Sequence, residues 1–397
     1  MFSTLDLGIA AGFRTFSPEM NIGIPKTTEA GEHRVSLTPD VVARLTKDGY
    51  EVVVQSGAGT AAGFVDDAYV ASGASIVDAA RAWSADVVVA IEYPSAEGLS
   101  SLKSGAVLLG LLQPLDQPAR LTALAATGVT SIAFEVVPRT TRAQSMDILS
   151  SQATVAGYQA VLMAADKLDK FFPMLTTAAG TIAPSKVLIL GAGVAGLMSI
   201  ATARRLGAIV SAFDVRAEAA EQVESLGAKF VSVDMEQQDS SATGGYAKEV
   251  AEDTQAKILA GLAKPVSEAD VVISTAQIPG RPAPLLITRQ MIESMRPGAL
   301  VIDLAAPTGG NCELTEAGKT VVHSNVSIVG PTNLPSMAAG DASRMYGRNA
   351  LALMKLFLSE DGVNVDFADD IIEGSVVTHG GNVVHPRVKA LLDGGGN

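Results

Sequence analysis

The feature that most constrains this chain is the stretch KVLILGAGVAGLMSIATARRLGAIVSAFD, which begins at Lys186. Gly191, Gly193 and Gly196 directly follow an apolar run and open a segment with helical spacing. This G-x-G-x-x-G pattern provides a tight turn, close approach of the backbone to a pyrophosphate, and close packing of helix on strand. Asp214 follows Gly196 by 18 residues, at the end of the next apolar run. Strand, helix and acid together predict a Rossmann-type dinucleotide site.

The acidic residue of this pattern bears on the choice of coenzyme. The Asp214 carboxylate would accept hydrogen bonds from the adenosine ribose hydroxyls and repel the 2'-phosphate of NADP, which favours NAD(H). Arg216 lies two residues later and leaves NADP(H) open. A tight glycine turn without a ligand is the other interpretation. The predicted coenzyme-binding residues of this segment are Gly191, Ala192, Gly193, Val194, Gly196, Asp214 and Arg216.

Composition excludes several classes of protein. Of the 397 residues, 48% are apolar and 18% charged, which is typical of α/β proteins with buried parallel strands. The formal net charge of -13 repels nucleic acid and anionic lipid headgroups, so neither is an expected partner. Cys312 is the only cysteine, which excludes an internal disulfide and is typical of a reducing cytoplasm.

The apolar composition raises the possibility of a membrane span. The mean hydropathy is +0.29, and the segment that most resembles a span is residues 187–203, which contain no charged residue. Three glycines interrupt this run, and it is shorter than the roughly 20 residues that a bilayer requires. No direct membrane span is therefore expected. Residues 1–19 lack the pattern of a signal peptide and are predicted to form a loose extension before Met20.

The first part of the chain alternates strand-like and helix-like segments. Thr38 is predicted to cap a helix that starts at Pro39 and ends near Gly49. Because the intervening segments have helical spacing, the strands are expected to form a parallel sheet. The predicted strands are NIGIP, YEVVVQ, ADVVVAI, GAVLLGLL and VTSIAFEVV.

A second alternating set follows a long helix predicted over residues 145–167 and a loop, TTAAGTIAPS. Its strands are KVLIL, AIVSAFD, AKFVSV, ADVVIST, ALVIDLA and VSIVG. Another long helix is predicted over 336–358. We therefore predict an α/β chain of two Rossmann-like, doubly wound parallel-sheet domains joined by long helices. The predicted divisions are a discontinuous first domain (20–150 plus 340–392), a nucleotide-binding domain (151–339) and a disordered tail (393–397).

Three segments carry a family resemblance that extends over about residues 20–392. GIPKTTEAGEHRVSLTP, GAGVAG with FDVR, and DLAAPTGGN resemble alanine dehydrogenase and its relative, the NAD(H)-binding α subunit of proton-translocating NAD(P) transhydrogenase. The two relatives share a fold and use it for different reactions, so individual residues must decide between them.

The residues of an amino-acid dehydrogenase are mostly replaced. The resemblance to alanine dehydrogenase implies an Arg, a Lys, a His and an Asp that hold a keto acid and supply its proton. Arg34 matches the Arg, whereas Glu92, Gln113 and Pro307 occupy the other three positions. Glu92 would repel a substrate carboxylate. This pattern argues against keto-acid chemistry.

The segment RTTRAQSMDILSSQ instead matches a loop of the transhydrogenase α subunit residue by residue. The resemblance implies that Arg139 binds the nicotinamide carboxamide, that Asp147 and Ser150 serve the nicotinamide ribose, and that Gln144 reaches toward the partner's nucleotide. We expect Pro138 to end the preceding strand and Ser145 to cap the following helix. The alternative is that Asp147 complements a helix dipole and Arg139 is a solvated charge.

Two further loops are assigned to the nucleotide. The polar, glycine-rich SSATGGYAKEV resembles a mobile family loop whose tyrosine closes over the coenzyme, which makes Tyr246 a candidate. STAQIPGRPAP, with Ala276, follows a strand and is expected to line the adenosine pocket. The four histidines are assigned structural or surface roles: His33, His323, His379 and His385. No metal site is expected.

Hydride transfer between two nicotinamide rings needs no general acid, so the replaced residues favour it. NAD(H) is expected on this chain and NADP(H) on a partner, because the chain has one convincing dinucleotide motif. The resemblance implies an NADP(H)-binding β subunit, a separate membrane-spanning subunit, a homodimer, and a location on the cytoplasmic face of the inner membrane. A rearranged amino-acid dehydrogenase and a catalytically silent NAD-binding protein remain the alternatives.

Overall fold

In this computed structural model, residues 20–233, 252–278, 280–359 and 362–394 are described, with 252–254 described by backbone alone. The first part alternates strands and helices. Its strands are β1 Asn21–Ile24, β2 Glu51–Gln55, β3 Ser75–Val77, β4 Val87–Val89, β5 Val107–Gly110 and β6 Thr130–Ala133. Its helices are α1 Pro39–Lys47, α2 Asp66–Ala71, α3 Ala79–Trp83, α4 Ala96–Ser101 and α5 Arg120–Ala126.

The long helix α6, Ile148–Lys167, leads into the second part. The strands there are β7 Leu175–Thr177, β8 Gly180–Ile182, β9 Lys186–Leu190, β10 Ile209–Phe213, β11 Lys229–Phe230, β12 Val271–Ser274, β13 Leu300–Asp303, β14 Thr320–His323 and β15 Val326–Val329. The helices are α7 Val194–Arg205, α8 Ala219–Ser225, α9 Glu252–Glu268 and α10 Arg289–Ser294.

The last part begins with a second long helix. Its elements are α11 Ala339–Met354, β16 Leu358–Ser359, β17 Gly362–Val363, α12 Asp370–Ser375, β18 Val376–His379, β19 Asn382–Val383 and α13 Pro386–Gly394. Short 3-10 turns connect several elements: Thr60–Ala62, Phe134–Val136, Thr141–Met146, Ala306–Thr308 and Leu334–Ala338.

The first sheet has the order β19-β18-β6-β5-β4-β1-β2-β3. The chain fills β1 to β3 in one direction and β4 to β6 in the other, so the winding reverses between β1 and β4. Strands β1 to β6 pair in parallel, as predicted, whereas β18 runs antiparallel to β6 and β19 antiparallel to β18. The antiparallel edge was not predicted.

The second sheet has the order β11-β10-β9-β12-β13-β15-β14. Its winding reverses between β9 and β12, and only β14 pairs antiparallel among its described strands. The predicted fold class, two doubly wound α/β sheets, is confirmed. In both sheets, the carboxyl ends of the strands at the point of reversal are where such folds bind ligands.

The long helix α6 packs against α7 of the nucleotide-binding sheet and against α11. At the contact with α7, a Cβ on Gly157 would lie only 2.1 Å from the carbonyl oxygen of Ala195. The Ser199 hydroxyl also donates to the carbonyl oxygen of Gly157 at 3.0 Å. This close approach fixes the start of α7, and hence the glycine-rich loop, relative to α6.

Several boundaries differ from those predicted. TTAAGTIAPS was predicted to be a loop, but it contains strand β8 and the end of β7. Strand β6 ends at Ala133 rather than at Pro138, because a 3-10 turn begins at Phe134. Helix α13 extends to Gly394, two residues into the predicted disordered tail. The predicted extension at 1–19 and the loop with Tyr246 lie outside the described residues.

A candidate coenzyme cleft

A cleft of about 1030 Å³ lies where both sheets contribute loops to one opening. This volume is large enough for a dinucleotide. The first sheet's side of the wall includes Leu115, Glu135, Arg139, Ser150 and Gln152. The nucleotide-binding side includes Gly191, Gly193, Val194, Asp214, Arg216, Ala276 and Pro307. The fold therefore brings the glycine-rich loop opposite the RTTRAQSMDILSSQ segment.

The three glycines of the loop differ in the space that a side chain would have at each position. Gly191 adopts a positive φ of 98°, which favours glycine. A Cβ on Gly196 would lie 1.9 Å from the Gly191 carbonyl oxygen, so helix and strand could not approach. A Cβ on Gly193 would meet no atom within 4 Å, because it would point into open space. Of the three, Gly193 alone has no steric reason within the described residues to be glycine.

The start of α7 can accept an anion. Gly193 is its N-cap and provides no side-chain hydrogen bond to the first turn. The first N–H groups of a helix have no partner within the helix, and they carry a partial positive charge. Gly193 and Val194 both line the cleft. A pyrophosphate is the group that this arrangement suits.

Asp214 is buried at the end of β10 and ties the glycine-rich loop to the next loop. Its carboxylate accepts the Ala192 N–H at 2.7 Å and the Arg216 backbone and Nε N–H groups at 2.9 Å each. These bonds raise the pKa of the Arg216 guanidinium. The carboxylate orients the loop in addition to lining the cleft, and Arg216 partly neutralises the charge that would repel a 2'-phosphate.

The loop with Ala276 is held by a buried amide that sequence analysis missed. The Asn311 side chain accepts the Ala276 N–H at 3.1 Å and donates to the carbonyl oxygens of Ala276 and Pro284 at 2.8 Å each. Asn311 is fully buried. The sequence signal was its place beside two glycines in DLAAPTGGN, but nothing in the spacing indicates which loop it binds.

The position of Asn311 depends in turn on Asp303, the last residue of β13. Its fully buried carboxylate accepts five hydrogen bonds. The donors are the Ser274 hydroxyl, the Thr315 hydroxyl and the backbone N–H groups of Ala305, Asn311 and Cys312. Burial raises the pKa of the Cys312 thiol to about 11, which keeps that cysteine neutral. Asp303 therefore organises the loops at this end of the sheet.

The facing segment is built on a 3-10 turn and the first turn of α6. Arg139 is exposed and lines the cleft, and Gln144 is exposed on the turn but does not line it. Asp147, rather than the predicted Ser145, is the N-cap of α6, because its carboxylate accepts the Ser150 N–H at 2.9 Å. Ser145 instead lies within the 3-10 turn.

Asp147 also orients the Ser150 side chain. The Ser150 hydroxyl donates to the other carboxylate oxygen of Asp147 at 2.5 Å, and Ser150 lines the cleft whereas Asp147 does not. The 3-10 turn is anchored from outside by Arg142, which forms ion pairs with Asp369 and Asp370 at the start of α12. Asp147 and Ser150 thus act as one unit at the mouth of the cleft.

Two of the four positions matched to alanine dehydrogenase, Arg34 and Glu92, have partners within the chain. Arg34 is buried and paired with Glu32 at 2.6 Å, and it also donates to Gln152 at 2.8 Å. Burial raises the pKa of Glu32, but the Arg34 guanidinium outweighs burial and holds it below its usual value. Glu92 accepts N–H groups of residues 28 and 29 through one oxygen. The cation that would hold a substrate carboxylate is already neutralised.

Glu135 is a cleft residue that no pattern in the sequence indicates. It lies in the 3-10 turn that follows β6, and its Oε1 accepts the Gln113 N–H at 2.7 Å. Its Oε2 is buried and has no hydrogen-bond partner. Burial raises the pKa of this carboxyl to about 7. Gln113 has a positive φ of 53°, so the bond holds an unusual backbone turn.

The histidines lie elsewhere. None of the four lines the cleft in the part of the chain that the structure describes. His323 pairs with Glu293 at 2.9 Å, and burial lowers the pKa of His385. Over the same residues, no group of three or more His, Cys, Asp or Glu side chains could hold a metal ion, and no helix is long and apolar enough to cross a membrane.

Comparison with known proteins decides the family. Family models of the alanine dehydrogenase/PNT N-terminal and C-terminal domains match residues 23–156 and 160–386. An NAD(P) transhydrogenase subunit alpha protein of Rhodospirillum rubrum is 47% identical over 379 residues, which cover 93% of this chain and 99% of that relative. The chain belongs to the alanine dehydrogenase/PNT family. The resemblance seen in the sequence is therefore confirmed.

Within the alanine dehydrogenase/PNT family, the chain is more similar to transhydrogenase. The crystal structure of transhydrogenase from Sinorhizobium meliloti has a TM-score of 0.84 and 43% identity, covering 92% of this chain and 100% of that one. Alanine dehydrogenase of Bacillus subtilis is 31% identical over 303 residues, 75% of this chain and 73% of the relative. Both comparisons favour the transhydrogenase side of the family.

Proposed function

We propose that this chain is the NAD(H)-binding subunit of a proton-translocating NAD(P) transhydrogenase, and that it exchanges hydride with NADP(H) held by a partner subunit. The observation that carries the proposal is the cleft in which the glycine-rich loop faces Arg139 and Ser150. The name of the Rhodospirillum rubrum relative, an α subunit of NAD(P) transhydrogenase, supports it. Coupling to proton translocation rests on the family resemblance.

Each wall of the cleft would bind a different part of the coenzyme. The start of α7 and Gly193 suit the pyrophosphate, Asp214 and Arg216 the adenosine ribose, and the loop with Ala276 the adenosine pocket. Since the adenosine half occupies the β10 side of the reversal point, the nicotinamide half lies toward the first sheet. Arg139 would donate to the carboxamide there. Ser150, oriented by Asp147, would contact the nicotinamide ribose.

When bound, the coenzyme itself supplies the hydride, so this chain needs to position a ring and exclude water rather than transfer a proton. Arg139 and Ser150 would hold the nicotinamide and its ribose from one wall. The loop held by Asn311 forms part of the opposite wall. Gln144 is exposed on the 3-10 turn before α6, and we propose that a second nucleotide carried by a partner approaches this turn. Its amide is suited to a hydrogen bond across that junction.

The paired Arg34 argues against the alternative of an amino-acid dehydrogenase. A keto-acid carboxylate would have to displace Glu32 from a buried ion pair, and breaking such a pair costs about 3–5 kcal/mol. Glu92 adds a second carboxylate on the same side. Because Arg34 is paired with Glu32, we do not expect Arg34 alone to bind a keto acid.

The subunit name of the relatives supports the existence of partner subunits. We propose an NADP(H)-binding β subunit and a separate membrane-spanning subunit, with this chain on the cytoplasmic face of the inner membrane. We also propose a homodimer. Phe171, Met174 and Ile182, beside and within the β7–β8 hairpin, are 54%, 62% and 46% exposed, and apolar side chains grouped in this way are typical of an interface.

One assay separates the possible functions. The purified chain, NADH, an oxidised nicotinamide analogue and the NADP(H)-binding domain of the partner are mixed, and reduction of the analogue is followed. We expect reduction that depends on both proteins. Binding of NADH without exchange would indicate a silent NAD-binding protein, and NADH oxidation that requires pyruvate and ammonia would indicate a dehydrogenase.

A single substitution tests the facing wall in that assay. Arg139→Ala should slow hydride exchange by roughly tenfold to a hundredfold, because a donor at the ring is lost. Its free energy of unfolding should change by less than about 0.5 kcal/mol, since Arg139 is exposed. Arg139→Lys is the matched control that keeps the charge. An unchanged rate in the alanine variant would remove Arg139 from the site.

A further inference from the structure

Glu135 is a partly buried ionisable group of the cleft that hydride exchange does not use. It follows β6 directly, and its 3-10 turn packs against α6, the helix that carries Ser150 and Gln152. Its two carboxyl oxygens have different surroundings. Oε1 is anchored by the Gln113 N–H, while Oε2 is buried without a partner in a residue that lines the cleft. An unpaired buried oxygen is costly unless a ligand or a proton satisfies it.

The groups around Glu135 raise its pKa overall, although the exposed Arg139 lines the same cleft four residues further along the chain. Asp116, on the loop that also lines the cleft, has the same sign and raises the Glu135 pKa further. The nearby cation Arg34 is already paired with Glu32. On the other packed elements, α6 presents the neutral Gln152, α11 the neutral phenol of Tyr346, and α12 the exposed Asp370 and Glu373. A positive group entering the cleft would therefore meet a carboxyl oxygen that has no hydrogen-bond partner.

The coenzyme changes charge on one of its parts, the nicotinamide ring. The oxidised ring is a cation and the reduced ring is neutral, whereas the pyrophosphate and both riboses are the same in the two forms. A carboxylate beside a cation is stabilised, and in a partly desolvated cleft this attraction is stronger than in water. The same carboxyl beside a neutral ring keeps its proton more readily.

We propose that Glu135 senses the redox state of the bound coenzyme: it releases its proton to solvent when NAD+ binds and retains it when NADH binds. The proposal rests on the proposed function for the placement of the nicotinamide end beside the first sheet. By linkage, a site that loses a proton on binding NAD+ binds NAD+ more tightly as the pH rises. The pKa of about 7 places this dependence near neutral pH.

Proton release gives a direct test on the wild-type chain. NAD+ and NADH are bound separately in weakly buffered solution near neutral pH, and a pH-indicator dye counts the protons released. We expect a substantial fraction of one proton per chain with NAD+ and close to none with NADH. Because the two ligands differ only in the ring, the difference isolates its charge. Equal release with both coenzymes would overturn the proposal without any substitution.

Glu135→Gln separates the ionisable role from a structural one. The amide oxygen can still accept the Gln113 N–H, but the side chain cannot ionise. In the wild type, the ratio of the NAD+ to the NADH dissociation constant should fall roughly tenfold between about pH 6 and about pH 8. The ratio should stay flat in Glu135→Gln and fall as in the wild type in Glu97→Gln, an exposed control on α4. A falling ratio in Glu135→Gln would refute the proposal.

The outcomes also distinguish this proposal from the function on which it rests. A chain that exchanges hydride with the partner domain but releases equal protons with NAD+ and NADH keeps the proposed function and loses the role of Glu135. A chain that shows the proton difference but no exchange keeps the sensing role and loses the transhydrogenase function. A chain that binds neither coenzyme loses both.

Discussion

The two walls of the cleft are built in different ways. On the nucleotide-binding wall, backbone geometry and buried hydrogen bonds fix the loops: Gly191 and Gly196 through sterics, Asp303 and Asn311 through their bonds. On the facing wall, side chains such as Arg139 and Gln144 project from short connecting segments and are exposed. The first wall is coupled to the stability of the fold, whereas the exposed side chains of the second can change with little effect on folding. This difference predicts opposite responses to substitution.

The largest effect is expected at Gly196. Gly196→Val would force a Cβ against the Gly191 carbonyl oxygen and should destabilise the chain by about 3 kcal/mol or more, with loss of NADH binding. Urea unfolding and NADH fluorescence measure both. The matched variant Gly193→Ala has open space for its Cβ, so its stability should be unchanged while NADH binding weakens. Equal losses of stability in the two variants would contradict the steric distinction.

The second largest effect is expected for Asp303→Ala, which should lower the free energy of unfolding by about 3 kcal/mol. Removal of the carboxylate leaves buried donors on Asn311, Cys312 and Thr315 without an acceptor. Asp303→Asn, which retains one acceptor oxygen, should lose less. NADH affinity should fall along with stability, since the same residue positions the Ala276 loop. A variant of wild-type stability would show that these bonds are replaced by others.

The free energy of unfolding should depend on pH through the ionisation of the Glu135 carboxyl. Because its pKa is raised from 4.5 to about 7 in the folded chain, its contribution is fully present below about pH 4.5 and is lost as the pH rises through about 7. Glu135→Gln escapes this loss. We expect the variant to gain roughly 2 kcal/mol relative to the wild type between about pH 5 and about pH 8, measured by urea unfolding. An unchanged difference at the two pH values would show that the carboxyl ionises normally.

The smallest effect is expected at Asp147. Asp147→Ala removes the N-cap of α6 and should cost about 1 kcal/mol. Asp147→Asn can still cap the helix and should lose less stability. The family resemblance assigns Asp147 and Ser150 to the nicotinamide ribose. Both variants should therefore weaken NADH binding, because the Ser150 hydroxyl loses its charged acceptor. Loss of stability without any change in affinity would leave Asp147 with the capping role alone.

The same contrast explains what could be predicted from the sequence. The glycine-rich loop and the parallel strands were predictable, because sterics and burial dictate residue types at fixed spacing. Asp303, Asn311 and Glu135 were not, because each binds a partner on a segment far away along the chain: Ser274, Ala276 and Gln113, respectively. The polar facing wall has no steric signal, so its assignment depended on the family resemblance.

Three other features of the fold differ from the sequence predictions, each for its own reason. Ser145 and Asp147 are both acceptable N-caps, and only the 3-10 turn that ends at Met146 decides between them. The β7–β8 hairpin is short and exposed, and it lacks the apolar alternation of a buried strand. Its sequence therefore predicts a loop. The pairing of β18 with β6 joins residues far apart in the chain, which no local pattern reveals.

That last pairing has a consequence for biosynthesis. Strands β1 to β6 leave the ribosome early, but the outer edge of β6 has no neighbour until residues 376–383 have been translated. The second sheet, in contrast, has all its strands once residue 329 has emerged. The second sheet can therefore finish folding before the first, and until residues 376–383 emerge the nascent chain carries an open sheet edge of the kind that promotes aggregation.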